Sequence, residues 1–326
     1  MTFVSNTPPP AKPKLKAFVK RNGNQFIVLG LIAALLLAGS LVSDRFATSR
    51  NLMNILEQSS ALALVSLGQT LAVLTGGIDL SVGSMISLAS VLLSGITDGD
   101  ASMVISAVIF VLLLGAFVGL INGSAILFLR VHPLVVTLGT GAALQGATLL
   151  YTMGPAGKMP LNFDYFAYGR FLGLPVGALV AIGLFVSVAL FLRYTRFGRY
   201  IYAVGDDADG AKLMGLPHNK AILLVYAFSG LMASLTAVFL VSRFGVGQPY
   251  TGANFTLTSI TPVVVGGTIL AGGRGGVIGT LLGVYLISLL NNVLNFMDIS
   301  SHYQQIVQGL IVIVAVSVYV EKKRKL

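Results

Sequence analysis

Leu74-Thr75-Gly76-Gly77-Ile78-Asp79-Leu80-Ser81-Val82-Gly83-Ser84 lies in apolar sequence and holds one carboxylate, Asp79, among glycines and small hydroxyl residues. A charge near hydrocarbon is costly and usually faces a cavity, a partner or the interior of a bundle. Irregular glycine-rich backbone at that depth is tolerated only where protein or water satisfies its amides. The stretch therefore predicts a turn or helix break at a translocation path. The alternative is a tight loop at the membrane surface in which Asp79 is the N-cap of the next helix. The two interpretations are compatible.

The composition is that of a membrane protein that crosses the bilayer several times. Of the 326 residues, 55% are hydrophobic and 10% are charged, with a mean hydropathy of +0.88, whereas soluble domains carry about 25% charged residues. Cysteine is absent, which excludes disulfides, thiolate metal sites and cysteine nucleophiles. The net charge of +10 is better explained by basic cytoplasmic loops than by nucleic-acid binding.

Ten apolar segments predict an all-α, polytopic transmembrane helical bundle, since one crossing needs about 20 residues. Two of them, 81–97 and 257–272, are short or polar and are candidates for half-helices. The segments are 26–42, 58–75, 81–97, 103–128, 133–152, 174–193, 221–241, 257–272, 276–296 and 303–320.

The basic residues predict the orientation of the bundle. With ten crossings and a cytoplasmic N-terminus, the outer loops hold five of the 21 Lys and Arg residues, and the inner loops hold the other 16. This bias follows the positive-inside rule and places both termini in the cytoplasm. If half-helices occur in pairs, the number of crossings stays even, so eight or six full spans remain possible. We expect a disordered basic tail over 1–25, one permease domain over 26–320 with a cytoplasmic loop over 194–220, and a basic C-terminus over 321–326.

Two glycine stripes repeat every four residues and predict close helix packing. A substrate groove lined by glycine is the alternative. The stripes are Gly115, Gly119 and Gly123, and Gly275, Gly279 and Gly283. A weak internal repeat accompanies them, because Gly76-Gly77 and the later Gly83-Ser84 have a counterpart in Gly272-Gly273 and Gly279-Thr280, 196 residues further on. Transporters often contain such repeats, with the substrate path at the repeat interface.

The loop over 194–220 contains the pattern of one short helix. Asp206 or Asp207 can serve as N-cap, and Gly215 and Pro217 are placed to end the helix. About two turns are too short to be stable alone, so the helix is either held by its neighbours in a solvated connector or docked on a cytoplasmic subunit. Its other candidate coupling residues are Gly210, Ala211, Leu213 and Met214.

Catalytic and cofactor patterns are not found in the sequence. Gly205-Asp-Asp-Ala-Asp-Gly210 is not a phosphate loop, because Ala211 stands where the lysine is needed. The three histidines are far apart and lack partners at helical spacing, which makes a metal site improbable. We expect no cofactor, no metal and no enzymatic activity in this chain.

Four groups of residues together resemble the permease subunits of ribose-type monosaccharide ATP-binding-cassette (ABC) importers. The resemblance runs in order from about residue 50 to 320 and is specific as a set. The groups are Gly76-Gly77-Ile78-Asp79-Leu80-Ser81-Val82-Gly83-Ser84, His132 to Thr140, Arg196-Phe197-Gly198-Arg199 with Tyr202-Ala203-Val204-Gly205, and Gly266-Gly267-Thr268 through Gly272 to Thr280.

The resemblance implies the remaining parts of an importer in a bacterial inner membrane. A second permease subunit, identical or related, would complete the channel, a periplasmic binding protein would deliver sugar, and a cytoplasmic ATPase with two nucleotide-binding domains would drive the cycle. Membrane lipid would surround the bundle, and nucleic acid is not expected. A coupling helix in such importers commonly carries an Ala-Ala and Gly pattern, for which Gly210-Ala211 and Gly215 stand here; glycine in place of alanine departs from that pattern.

A neutral sugar needs hydroxyl and amide partners, so we expect the path and gate to include Gly76, Gly77, Asp79 and Ser81 with several neutral polar residues. The alternative for each of the latter is an interhelical hydrogen bond, worth about 0.6 kcal/mol, and we expect fewer than half to line the path. The candidates are Gln69, Thr70, Asn122, Thr137, Thr140, Gln145, Asn291, Asn292 and Asn295.

Two rival functions remain at this point. A secondary transporter driven by an ion gradient would need an acidic coupling site, for which Asp79 is the plausible residue. A channel-like protein would need no energy input.

Overall fold

The computed structural model describes residues 23–324 of the chain. The predicted disordered tail lies almost wholly outside these residues, as do the last two positions of the predicted C-terminal segment. The first half contains α1 (Gly23–Val42), α2 (Ser49–Leu74), α3 (Val82–Thr97), a 3₁₀ turn (Ala101–Met103), α4 (Val104–Leu129), α5 (Pro133–Tyr151) and α6 (Tyr165–Tyr168). The second half contains β1 (Arg170–Phe171), β2 (Leu174–Pro175), α7 (Val176–Tyr194), α8 (Arg196–Asp206), α9 (Ala208–Leu213), α10 (His218–Phe244), α11 (Phe255–Thr258), α12 (Ile260–Val265), α13 (Val277–Phe296) and α14 (Ser301–Arg324).

The described residues form an all-α membrane bundle, apart from the antiparallel two-residue strands β1 and β2. Each of the ten predicted segments coincides with a helix or, for 257–272, with the short pair α11 and α12. Six of the described helices are long and apolar enough to cross a membrane: α1, α4, α5, α7, α10 and α13. The expected number of about ten is therefore matched only loosely: α3 has 16 residues, α11 with α12 form a broken apolar piece, and α2 and α14 are not among the six.

Local sequence explains where several helices begin and end. Thr48 and Thr195 cap α2 and α8, and each accepts a hydrogen bond from a backbone N–H three residues later. Pro133 occupies the first turn of α5, where its missing N–H has no cost. Gly245 ends α10 in the left-handed region at φ 72°.

The centre of the bundle is α10, packed against α2, α3 and α4. The first glycine stripe supplies one of these contacts, because a Cβ at Gly115 or Gly119 would overlap carbonyl groups of Gly230 and Tyr226 on α10. A Cβ at Gly123 would lie 3.1 Å from the Leu223 Cα atom. The backbones of α4 and α10 thus approach at a distance that side chains would prevent.

The three glycines of the second predicted stripe do not all lie on one helix. Gly279 and Gly283 lie on α13 and pack against the backbones of Gly266 and Pro262. Gly275 lies before the helix, in a loop at φ 127° against Thr268. The helical period fails there because α13 begins only at Val277, after Gly276.

The loops gather at two ends of the bundle. At one, here called the α8 end, Gly273 N donates to Leu74 O at 3.0 Å, and the Tyr202 hydroxyl donates to Gly275 O at 3.2 Å. At the other, the α6 end, Ala156 N donates to Gly247 O at 3.0 Å. Loops assigned to the same side by the charge count therefore meet at the same end.

The two Gly-Gly turns of the weak internal repeat touch at the α8 end. A Cβ at Gly272 would lie 2.8 Å from Gly76 N, and both glycines have positive φ angles, 88° and 82°. The turn that holds Asp79 is thus joined directly to the turn before α13.

Candidate functional site

Asp79 lies in the turn between α2 and α3 and is 1% exposed. Its Oδ1 atom accepts hydrogen bonds from Ser81 N at 3.0 Å and Ser81 Oγ at 2.6 Å. Its Oδ2 atom accepts from Ser229 Oγ on α10 at 2.8 Å. Three short bonds to the carboxylate are what makes a buried acid tolerable in an apolar bundle.

A second layer of side chains holds the same turn. Asn122 Nδ2 on α4 donates to Ser81 Oγ at 2.9 Å. In the amide orientation that satisfies both groups, Gln69 donates to Asp79 O at 3.1 Å and accepts from Asp79 N at 3.2 Å. Thr137 Oγ1 on α5 accepts from Leu80 N at 3.1 Å. Side chains of α2, α4, α5 and α10 thus converge on three residues of one turn.

Asp79 is not the N-cap of α3 and does not lie in a surface loop. Ser81 occupies the N-cap position of α3, and its side chain makes no capping bond. Asp79 lies two residues earlier, and its side chain accepts a hydrogen bond from the Ser81 N–H in a short side-chain turn. In this position the carboxylate is buried in the bundle.

Tyr226 on α10 completes the surroundings of this turn. A Cβ at Gly77 would overlap the Tyr226 hydroxyl, which is buried and has no hydrogen-bond partner among the described residues. Sequence reasoning missed both Tyr226 and Ser229. The available signal was weak: a hydroxyl residue beside Gly230 in an otherwise apolar helix.

The remaining neutral polar candidates are paired between segments of the bundle. Thr70 Oγ1 donates to Thr280 Oγ1 at 2.9 Å, and Gln145 Nε2 donates to Pro249 O at 3.0 Å. Three asparagines of α13, residues 291, 292 and 295, bond Gln308, Asn51 and Gln304 respectively. Thr140 is half-buried on α5. Most of these side chains therefore make the interhelical hydrogen bonds that were the alternative to lining the path.

The short helix of the 194–220 loop is α9. Asp207 Oδ1 accepts from Asp209 N at 3.1 Å and Gly210 N at 2.9 Å, which makes Asp207 the N-cap. Gly215 has φ 70°, and Leu216 N returns to Ala211 O at 3.0 Å. The chain therefore reverses in a left-handed turn after two short turns of helix.

One of the candidate coupling residues in α9 is not available for contact with a partner. Ala211 is 4% exposed and belongs to a buried cluster with Val204, Ala221, Ile222 and Tyr226. Leu213 is 90% exposed and Met214 is 80% exposed. Ala211 thus faces inward because α9 is held against α8 and α10, and the two apolar side chains after it form the outward surface.

The α9 surface and the Asp79 turn are joined by continuous packing. Tyr226 belongs to the cluster that holds Ala211 and also lies over Gly77. On α8, a Cβ at Gly205 would overlap Leu74 O and lie 2.6 Å from Gly273 N. A displacement of α8 and α9 would therefore press on both glycine turns.

Tyr202 fixes the other side of α8. Its hydroxyl donates to Gly275 O at 3.2 Å, and burial raises the pKa of Tyr202 above its ordinary value. The phenol thus stays protonated and keeps this bond.

Within residues 23–324, no group of three or more His, Asp or Glu side chains could hold a metal ion.

Comparisons with known proteins identify the family to which the chain belongs. Residues 51–316 match the family described as branched-chain amino acid transport system / permease component. The ribose import permease protein RbsC of Escherichia coli (strain K12) is 38% identical over 312 residues, which cover 93% of this chain and 94% of the relative. The D-allose transport system permease protein AlsC of the same strain is 33% identical, with 90% and 89% covered. The fructose import permease protein FrcC of Rhizobium meliloti is 31% identical, with 94% and 87% covered. No solved structure matches the chain.

Proposed function

This chain belongs to the permease family of ABC importers, in the branch of the ribose import permeases, and we propose that it carries a monosaccharide across the bacterial inner membrane. It is a multi-pass transport subunit. The single observation that carries the proposal is the similarity over 93% of the chain to a ribose import permease. The relatives named for allose and fructose extend the substrate class to monosaccharides in general.

We propose that a separate cytoplasmic ATPase supplies the energy and contacts α9. The support is the pairing of a firmly capped short helix with two exposed apolar side chains, Leu213 and Met214. Apolar side chains left on a cytoplasmic loop favour a protein contact. A periplasmic binding protein would deliver the sugar at the opposite, α6 end.

We propose that ATPase closure reaches the gate through the packing described above. Pressure on α9 would be passed by Tyr226 and Gly205 to the turns at Gly77 and Gly273. Because the Asp79 hydrogen bonds tie this turn to α4 and α10, a shift of the turn would move several helices together. Asp79 acts here as a positioning residue of the gate.

We propose that the α8 end faces the cytoplasm. Arg193, Arg196 and Arg199 lie within or beside α8, whereas the α6 end carries fewer basic residues, such as Lys158 and Arg170. This distribution follows the positive-inside rule.

We propose that a second permease subunit packs on the exposed face of α5. That face mixes large apolar residues such as Leu138 and Leu150 with glycines, and a Cβ at Gly139 or Gly146 would meet no atom within 4 Å. Small residues permit close approach of another helix in a membrane. The path would then run between the two copies of α5.

The test is reconstitution in liposomes with the ATPase and the sugar-loaded binding protein. We expect ATP-dependent uptake of a monosaccharide that stops when either partner is left out. Uptake driven by a proton or sodium gradient without the ATPase would replace this proposal with the secondary-transporter function, for which Asp79 would be the coupling residue.

A further inference from the structure

A polar cavity of about 200 Å³ lies within this single subunit near the α6 end. Segments of α2, α11, α13 and α14 surround it. Its polar lining consists of amide and hydroxyl side chains, including Gln58, Thr258, Ser288 and Asn291, and Phe255 adds an aromatic ring. Among the described residues that line it, none is Lys, Arg, His, Asp or Glu.

Two pairs of amide side chains join α13 and α14 at the cavity, and three of the four residues line it. Gln308 Nε2 donates to Asn291 Oδ1 at 3.0 Å, and Gln304 Nε2 donates to Asn295 Oδ1 at 2.6 Å. The members are four residues apart on each helix, so successive pairs lie on the same face. The pairing therefore holds the amide groups of α13 and α14 against one another before any solute enters.

Gln308 leaves one acceptor open. The residue is 8% exposed, and its Oε1 atom is buried with no hydrogen-bond partner among the described residues. A buried carbonyl oxygen without a donor is unfavourable, so a donor supplied by a solute would stabilise it. Gln308 is one of the residues that line the cavity, so the unpaired oxygen belongs to its wall.

We propose that this cavity is a binding site for one neutral polyhydroxylated ring, a monosaccharide, inside the permease subunit. A sugar hydroxyl would donate to Gln308 Oε1, other hydroxyls would bond Asn291 and Ser288, and the C–H face of the ring would lie on Phe255. An ionic solute would find no opposite charge in the lining. The volume is below the roughly 300–1,000 Å³ of sites for drug-sized ligands, which suits a single sugar ring. The inference rests on the proposed function for its substrate class, and it differs from the path between two copies of α5.

The absence of tryptophan from the chain permits a direct test. The variant Phe255→Trp places the sole tryptophan in the cavity wall. The matched control is Phe191→Trp, beside an apolar groove of about 500 Å³ lined by α2, α7, α8 and α10. Each full-length variant is placed in nanodiscs and titrated with D-ribose, D-allose and D-fructose. We expect a saturable fluorescence change for at least one sugar in Phe255→Trp and none in Phe191→Trp.

Adding Gln308→Met to Phe255→Trp keeps the side-chain length and removes the open acceptor. We expect the apparent affinity to fall by tenfold or more, with unchanged emission in the absence of sugar as the check on folding. A change that does not saturate, a flat response to all three sugars, an equal response in Phe191→Trp, or an affinity unaltered by Gln308→Met would overturn the site. ATP-driven uptake by the wild-type chain is measured in parallel: its persistence without binding in the cavity would reject this inference alone, whereas its failure would reject the proposed function.

Discussion

Ser229 and Asp79 are 150 positions apart in the chain, and the Ser229 hydroxyl donates a 2.8 Å hydrogen bond to Asp79 Oδ2. This bond joins the central helix α10 to the turn between α2 and α3. Because the other oxygen of the same carboxylate binds Ser81, which in turn accepts from Asn122 of α4, one acidic side chain connects three parts of the bundle.

The first prediction concerns this carboxylate. Asp79→Leu leaves the Ser81 N–H and the Ser229 hydroxyl without their acceptor, and hydrogen bonds to charged groups contribute about 1.5–3 kcal/mol each. We expect uptake to fall at least about tenfold, since 1.4 kcal/mol corresponds to that factor, while the protein still reaches the membrane. Asp79→Asn keeps an acceptor oxygen, and Ser229→Ala removes one bond, so both should retain more uptake. Full uptake in Asp79→Leu at normal membrane levels would show that the residue is incidental.

The second prediction compares two glycines in apolar helices. A Cβ at Gly119 on α4 would overlap Tyr226 O, whereas a Cβ at Gly183 on α7 would meet no atom within 4 Å. We expect Gly119→Ala to lower the free energy of unfolding by about 1–3 kcal/mol, the usual cost of overpacking. Gly183→Ala should be neutral or stabilising by up to about 1 kcal/mol. Thermal unfolding in detergent measures both, and equal melting temperatures would contradict the packing of α4 on α10.

The third prediction concerns orientation. Because the chain has no cysteine, Lys158→Cys and Lys212→Cys each introduce a unique thiol, one at the α6 end and one at the α8 end. A membrane-impermeant maleimide added to intact cells should label position 158 and not position 212. Inverted vesicles provide the control, in which the pattern should reverse. Labelling of both positions in intact cells would refute the charge-based topology.

Short-range features were predictable from sequence, and the reason is local chemistry. The α9 helix follows from Asp207 as an acceptor for nearby N–H groups and from Gly215 as a residue that adopts positive φ. Helix positions followed from hydropathy because a membrane requires long apolar segments. The short, polar segment 257–272 was a candidate half-helix, and the helix within it, α12, spans only Ile260–Val265.

The partners of the polar residues were not predictable in the same way. Ser229 is one hydroxyl residue in a long apolar helix, and only the packing of α10 brings it to Asp79. Nothing in the sequence around Gln308 indicated its pair with Asn291. Ala211 was a candidate coupling residue, but tertiary packing turns it inward, because a two-turn helix has too few apolar residues to define its own buried side.

The last prediction tests the contact between α9 and the ATPase. Leu213 and Met214 are exposed apolar side chains, and burying each in a partner's cleft would contribute about 1.5–3 kcal/mol. The double substitution Leu213→Glu with Met214→Glu should leave membrane insertion and capture of the loaded binding protein unchanged, because neither side chain packs within the subunit. ATPase co-purification should weaken at least about tenfold, and ATP hydrolysis should no longer be stimulated by the loaded binding protein. Leu213→Met keeps an apolar contact and serves as the conservative control. Ala211→Glu should instead destabilise the subunit itself, because it places a charge in the cluster around Tyr226. If the double variant retains full stimulation and uptake, the outward face of α9 is not the docking surface and the ATPase must engage another part of the α8 end.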